Sequence, residues 1–107
     1  MIDCRFLLGK DGASLVGFQV SGHADFGDVG KDVVCAAVSS AAYLVANTIT
    51  DVLHAEASAV DEEGYLCVQV AERDAHLCRT ILEGLKLHLF GLEEQYPQAI
   101  HVSYEEV

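Results

Sequence analysis

Asp32-Val33-Val34-Cys35-Ala36-Ala37-Val38-Ser39-Ser40-Ala41-Ala42-Tyr43-Leu44-Val45-Ala46-Asn47-Thr48-Ile49-Thr50-Asp51 carries no charge between its terminal aspartates. Val34, Val38, Ala41/Ala42, Val45, Ile49 and Val52/Leu53 recur at helical spacing. The run predicts a helix that Asp32 caps, through the N–H of Val34 or Cys35, and that ends near Val52–His54. Eighteen uncharged residues, Val33 to Thr50, raise the question of a membrane span. The run is richer in alanine than in leucine, contains Ser39, Ser40, Asn47, Thr48 and Thr50, and has no basic anchor. A core helix of a protein outside the membrane is the expectation.

The segments on either side read as strands. Ile2, Cys4, Phe6 and Leu8 share a face, Gly9-Lys10-Asp11-Gly12 signals a turn, and Val16, Phe18 and Val20 share a face on the return over Ser14 to Val20. A second hairpin is expected from Ala55–Val60 and Tyr65–Ala71 around Asp61-Glu62-Glu63-Gly64. Asp74 is placed to cap a second helix, striped by Leu77, Ile81, Leu82, Leu85, Leu89 and Leu92 and stopped by Tyr96-Pro97. Gly84 and Gly91 share one face of it, and their cost in helix stability suggests that something approaches closely there. Ile100, Val102 and Tyr104 alternate in a last strand. The order β-β-α-β-β-α-β predicts an α+β domain over residues 1–107, a mostly antiparallel sheet with two packed helices.

The chain of 107 residues is 51% hydrophobic, enough for one core and too short for two. Its opening, Met1-Ile2-Asp3-Cys4-Arg5, lacks the pattern of a secretory leader. The net charge of −11 disfavours direct nucleic-acid binding, which needs clustered Lys and Arg, and suits a basic partner. Acidic chains also exist simply for solubility. Cys4, Cys35, Cys67 and Cys78 form no Cys-x-x-Cys pair, so four reduced thiols and a cytoplasmic location are expected. His76-Leu77-Cys78 is half of a zinc pattern without a second half, and neither metal nor cofactor is expected.

The chemistry concentrates between residues 22 and 39. A cysteine in the first turn of a helix meets unpaired N–H groups and the positive end of the helix dipole, which favour thiolate. On that reading Cys35 is a candidate nucleophile, its own N–H a candidate oxyanion donor, and His23 a candidate base able to return its proton to a leaving amine. Gly27 and Gly30 would let the intervening loop fold His23 back, with Phe26 and Val29 as a lid over an apolar substrate side chain. The plain alternative makes Cys35 a small core residue and the loop an ordinary connection. Asp32 has two candidate tasks, capping the helix or orienting the imidazole. Ser39, one turn beyond Cys35, either bonds backbone or faces substrate.

Gly22-His23-Ala24, a glycine-containing loop and Asp32-x-x-Cys35-Ala36-Ala37-x-Ser39 resemble the bacterial ribosomal-processing cysteine protease family, Prp. Gly22, His23, Asp32, Cys35 and Ser39 all match its pattern. The resemblance implies Cys35 as nucleophile and His23 as base, with Gly22, Asp32 and Ser39 in support. It also implies that the substrate is the precursor of a large-subunit ribosomal protein. Its N-terminal extension would be apolar and aromatic before the cut, with a small residue after it. A homodimer is implied as well. The rival reading is a non-catalytic module that docks on a ribosomal protein or assembly factor.

Overall fold

In a computed structural model the described residues are 1–22 and 29–107, with side chains described at 1–22 and 33–107. The period-two segments form strands β1 (Ile2–Leu8), β2 (Leu15–Ser21), β3 (Ala57–Glu62), β4 (Tyr65–Val70) and β5 (Ile100–Glu106). They make one sheet in the order β3-β4-β2-β1-β5. Pairing is antiparallel except between β1 and β5, which run parallel from Ile2 opposite Ile100 to Leu8 opposite Glu106. The element order β-β-α-β-β-α-β and the α+β class match the sequence reading.

Alternation decides which face is covered. Cys4 opposes Val20, Phe6 opposes Phe18, and Val20 and Phe18 oppose Leu66 and Val68. These buried residues form one core with Val34, Val38, Ala42, Val45 and Ile49 of the first helix and Cys78, Leu82, Leu85 and Leu89 of the second. Each large aliphatic or aromatic side chain removed from water there contributes roughly 1.5–3 kcal/mol. Arg5, between Cys4 and Phe6 on β1, turns to the other face and pairs with Asp3 (2.9 Å) and Glu105 (2.8 Å).

The first helix, α1 (Val29–Asn47), continues into a π-helical segment, Thr48–Val52. Its end agrees with expectation. The widened last turns coincide with Thr48 and Thr50, whose hydroxyls donate to Leu44 O and Ala46 O, a bonding pattern that bends helices. Its beginning differs: α1 starts three residues before Asp32, so Asp32 is an interior residue of the first turn and not the N-cap. The second helix, α2 (Ala75–Gln95), starts after Asp74 and stops at Tyr96 as expected. The Asp74 carboxylate makes no cap bond; it accepts from Glu56 N–H at 2.8 Å and pins the entry to β3. Gly84 and Gly91 have nothing within 4 Å of an added Cβ among the described residues, so none of these exploits the missing side chains.

Gly17 is where the sheet has no room. A Cβ there would lie 2.0 Å from Val68 O and 3.0 Å from Gln69 Cα, both backbone. Gly17→Ala must push β2 and β4 apart, at a cost of about 3 kcal/mol. The urea midpoint should fall with an unchanged m-value; a midpoint equal to that of the wild type would show that the two strands separate freely.

Candidate active site

Cys35 is the seventh residue of α1. It therefore lies in the second turn, not the first, and two expectations change. A regular helix engages the amide of its seventh residue in its own ladder, so the Cys35 N–H is not one of the unpaired donors at the helix start. The dipole also acts mainly on the first turn. What α1 does supply is a rail. Cys35, Ser39 and Tyr43 recur every four residues along one side. Cys35 is 2% exposed and packs in the core, while Ser39 and Tyr43 are half-buried.

Tyr43 ties this rail to the sheet. Its hydroxyl donates to Asp61 Oδ1 at 2.6 Å, and this bond, ahead of burial and the Asp61 charge, holds the phenol above its usual pKa. Sequence reasoning missed Tyr43. The signal was the spacing of four that continues from Cys35 and Ser39.

Gly22 fixes the root of the segment that carries His23. It has φ 84°, and an added Cβ would sit 2.8 Å from Met1 O, so both backbone conformation and space call for glycine. Its N–H donates to Gly64 O at 2.9 Å, in the turn between β3 and β4. Ser21, just before it, pairs with Tyr65 at the start of β4. The His23 root and the Tyr43 end of the rail thus converge on the tip of the β3–β4 hairpin. His23, Ala24, Phe26 and Gly27 themselves lie outside the described residues, as do the side chains of Val29 and Asp32. The lid, the imidazole and the role of the Asp32 carboxylate fall with them. Gly30 is within α1, so the connection is shorter than the sequence suggested.

The remaining cysteines are poorly placed for nucleophilic chemistry. Burial first, then the charges of Asp3 and Glu93, push the Cys4 thiol up to about 12. Burial and Asp74 raise Cys78. Cys67 is half-buried on β4. Among the described residues no group of three or more His, Cys, Asp or Glu is arranged to hold a metal ion.

The described structure is a small α+β domain with a cysteine on its first helix, and comparison with known proteins gives the class of enzyme. The chain belongs to the family described as cysteine protease Prp, whose pattern matches residues 1–101, and it is a cysteine peptidase. A ribosomal processing cysteine protease Prp from Staphylococcus aureus is 26% identical over 88 residues, spanning 80% of this chain and 83% of that one. The fold recurs in the crystal structure of an essential ribosomal processing protease Prp from S. aureus in complex with a substrate peptide (TM-score 0.86, 22% identity, 98% of this chain and 100% of that chain). It recurs also in the S. aureus structure with a covalently linked product peptide (TM-score 0.82, 23% identity, 98% and 100% of the two chains). Family membership sets aside the reading of the chain as a non-catalytic docking module.

Proposed function

We propose that this cysteine peptidase is a ribosomal-processing endopeptidase that removes the N-terminal extension from the precursor of a large-subunit ribosomal protein. The observation that carries the reading is the family match over residues 1–101; Cys35, in the stretch whose sequence resembles the family's, lies on a helix of the shared fold and supports it. Cys35 Sγ attacks the scissile carbonyl, His23 takes the thiol proton and delivers it to the leaving amine, and water then hydrolyses the thioester. Cys35 is 2% exposed, so its sulfur has to become accessible before it meets a carbonyl. The net charge of −11 draws in the basic body of a ribosomal protein. The protein acts in the cytoplasm, without nucleic-acid or membrane contact of its own. The four free cysteines support that location. It works as a homodimer. Leu87, 77% exposed between the open Gly84 and Gly91, supports a contact on α2, and sedimentation of the purified protein reads it directly.

Asp32 sits in the first turn of α1, where a carboxylate stabilises the helix by about 0.5 kcal/mol. Asp32→Asn should therefore cost little stability and lower turnover by less than about a hundredfold, as for a residue that assists the site without fixing the imidazole tautomer. Single-turnover kinetics on a peptide copied from the extension and its junction test this. A fall to the level of Cys35→Ala at unchanged Tm would make Asp32 the orienting member of a triad.

A further inference from the structure

We propose that the cleft between the β1–β2 turn and the start of α2 is a binding site for a small phosphate monoester, held by Lys10, His76 and Arg79. The inference goes beyond the peptidase reading and does not depend on it.

The cleft has a volume of about 700 Å³, within the range of small-molecule sites. One wall is the turn over residues 9–14 and the other is the first turns of α2. Both walls are built before any ligand arrives. In the turn, the Gly9 N–H donates to Ser14 O at 2.8 Å and the Gly12 N–H to Gly9 O at 2.9 Å. Glu72, just ahead of α2, accepts from the Lys10 N–H at 2.8 Å and so joins the two walls. A Cβ on Gly9 would lie 2.9 Å from that carboxylate and 3.1 Å from Val16 Cγ1, so the close seat of Glu72 calls for glycine.

Charge selects the ligand. The chain has 17 Asp and Glu against 6 Lys and Arg, so a cation left without a carboxylate is against the odds. Arg5, Arg73 and Lys86 each sit beside one. Lys10 and Arg79 have none among the described residues, and both line this one cleft. His76, one turn before Arg79 on the same face of α2, lines it too and is equally unengaged. The acids of the cleft are committed elsewhere. Asp11 accepts from Ser14 Oγ and from the N–H groups of Ala13 and Ser14. Glu83 takes Lys86 at 3.1 Å, and Glu72 takes the Lys10 amide. The start of α2 adds the positive end of its dipole. Asp74, which could offset it, is turned to the Glu56 N–H.

Three donors on two facing walls suit a dianionic head with three terminal oxygens, and the guanidinium fork matches two of them at once. The cleft exceeds what a bare ion fills, and Ala13, Val16 and Ala75 supply apolar lining, so the ligand carries an organic body. The site is separate from the peptidase machinery. The turn lies at the far end of β2 from Gly22 and the His23 root, six residue steps or about 20 Å away.

The test is titration of the full-length protein, followed by ¹H–¹⁵N spectra at constant ionic strength, with phenyl phosphate, inorganic phosphate and benzoate as probes. Phenyl phosphate should shift the amides of Lys10, Ala13, His76 and Arg79 saturably, with a Kd below about 1 mM. It should bind about tenfold more tightly than either other probe. Arg79→Gln and Lys10→Gln, on opposite walls and both exposed, should keep Tm and each weaken binding about tenfold. Arg73→Gln, a nearby cation outside the cleft, should leave Kd within about twofold. Several results would overturn the proposal. Equal affinity for inorganic phosphate would mean an adventitious ion only, and equal affinity for benzoate would remove the phosphate class. Shifts centred on Gly22 and Gly64, no saturation, an unchanged Kd in folded Arg79→Gln and Lys10→Gln, or an equal loss in Arg73→Gln would each show that the cleft is not the site.

Discussion

Cys35→Ala is expected to lower cleavage of the extended ribosomal protein by at least a thousandfold while leaving the fold intact. On the proposed mechanism no other cysteine takes over the role of Cys35: burial raises the thiols of Cys4, to about 12, and of Cys78, and Cys67 lies on β4, away from the α1 rail. The structural cost is small because only a sulfur is lost from a helix already rich in alanine. About 1 kcal/mol shifts Tm by only several degrees in a domain of this size. Cleavage by purified variant, followed by mass spectrometry of the products, measures it. Retention of a tenth of wild-type activity would remove Cys35 as the nucleophile. Cys4→Ala, Cys67→Ala and Cys78→Ala serve as controls and should keep activity apart from lost stability.

His23→Ala is expected to cost about as much, because a nucleophile and its base act as a unit and losing either is nearly equivalent to losing both. Three readouts separate a base from a residue that only shapes the segment. Alkylation of Cys35 near neutral pH should slow, the pH–rate profile should lose its acid limb, and added imidazole should restore part of the rate. Unchanged cleavage kinetics would take His23 out of the mechanism.

The strands and the second helix were legible because their signals are local. The alternation Ile2, Cys4, Phe6 and the leucine stripe of α2 each state a period, and Gly64 and Pro97 punctuate them. The start of α1 was not legible. An aspartate is favoured both as N-cap and inside the first turn, the first by capping and the second by the dipole, so Asp32 fits either frame. The structure takes the second, which moves Cys35 away from the free amides. The position of Asp74 was readable but its partner, Glu56 N–H, was not, since the bond spans 18 residues. The parallel pairing of β5 with β1 is likewise a long-range choice with no local trace. Gly84 and Gly91 show the limit of reading glycine as close approach: among the described residues nothing comes within 4 Å of an added Cβ at either. In the site, the motif named Cys35, Ser39 and Gly22. Only the fold showed that Tyr43 and Gly64 draw the two halves to one hairpin tip.

The most direct measurement of the central claim is affinity labelling with a peptidyl chloromethyl ketone built on the residues that precede the cut. Docking places its ketone where the scissile carbonyl would stand and its chloromethyl carbon beside the attacking atom, which displaces chloride to form a stable bond and so identifies itself. Intact-mass and peptide analysis should find one adduct per chain, on Cys35, formed in proportion to the loss of activity and blocked by excess substrate peptide. Complete inactivation with Cys35 unmodified, or full activity with Cys35 fully alkylated, would contradict the account.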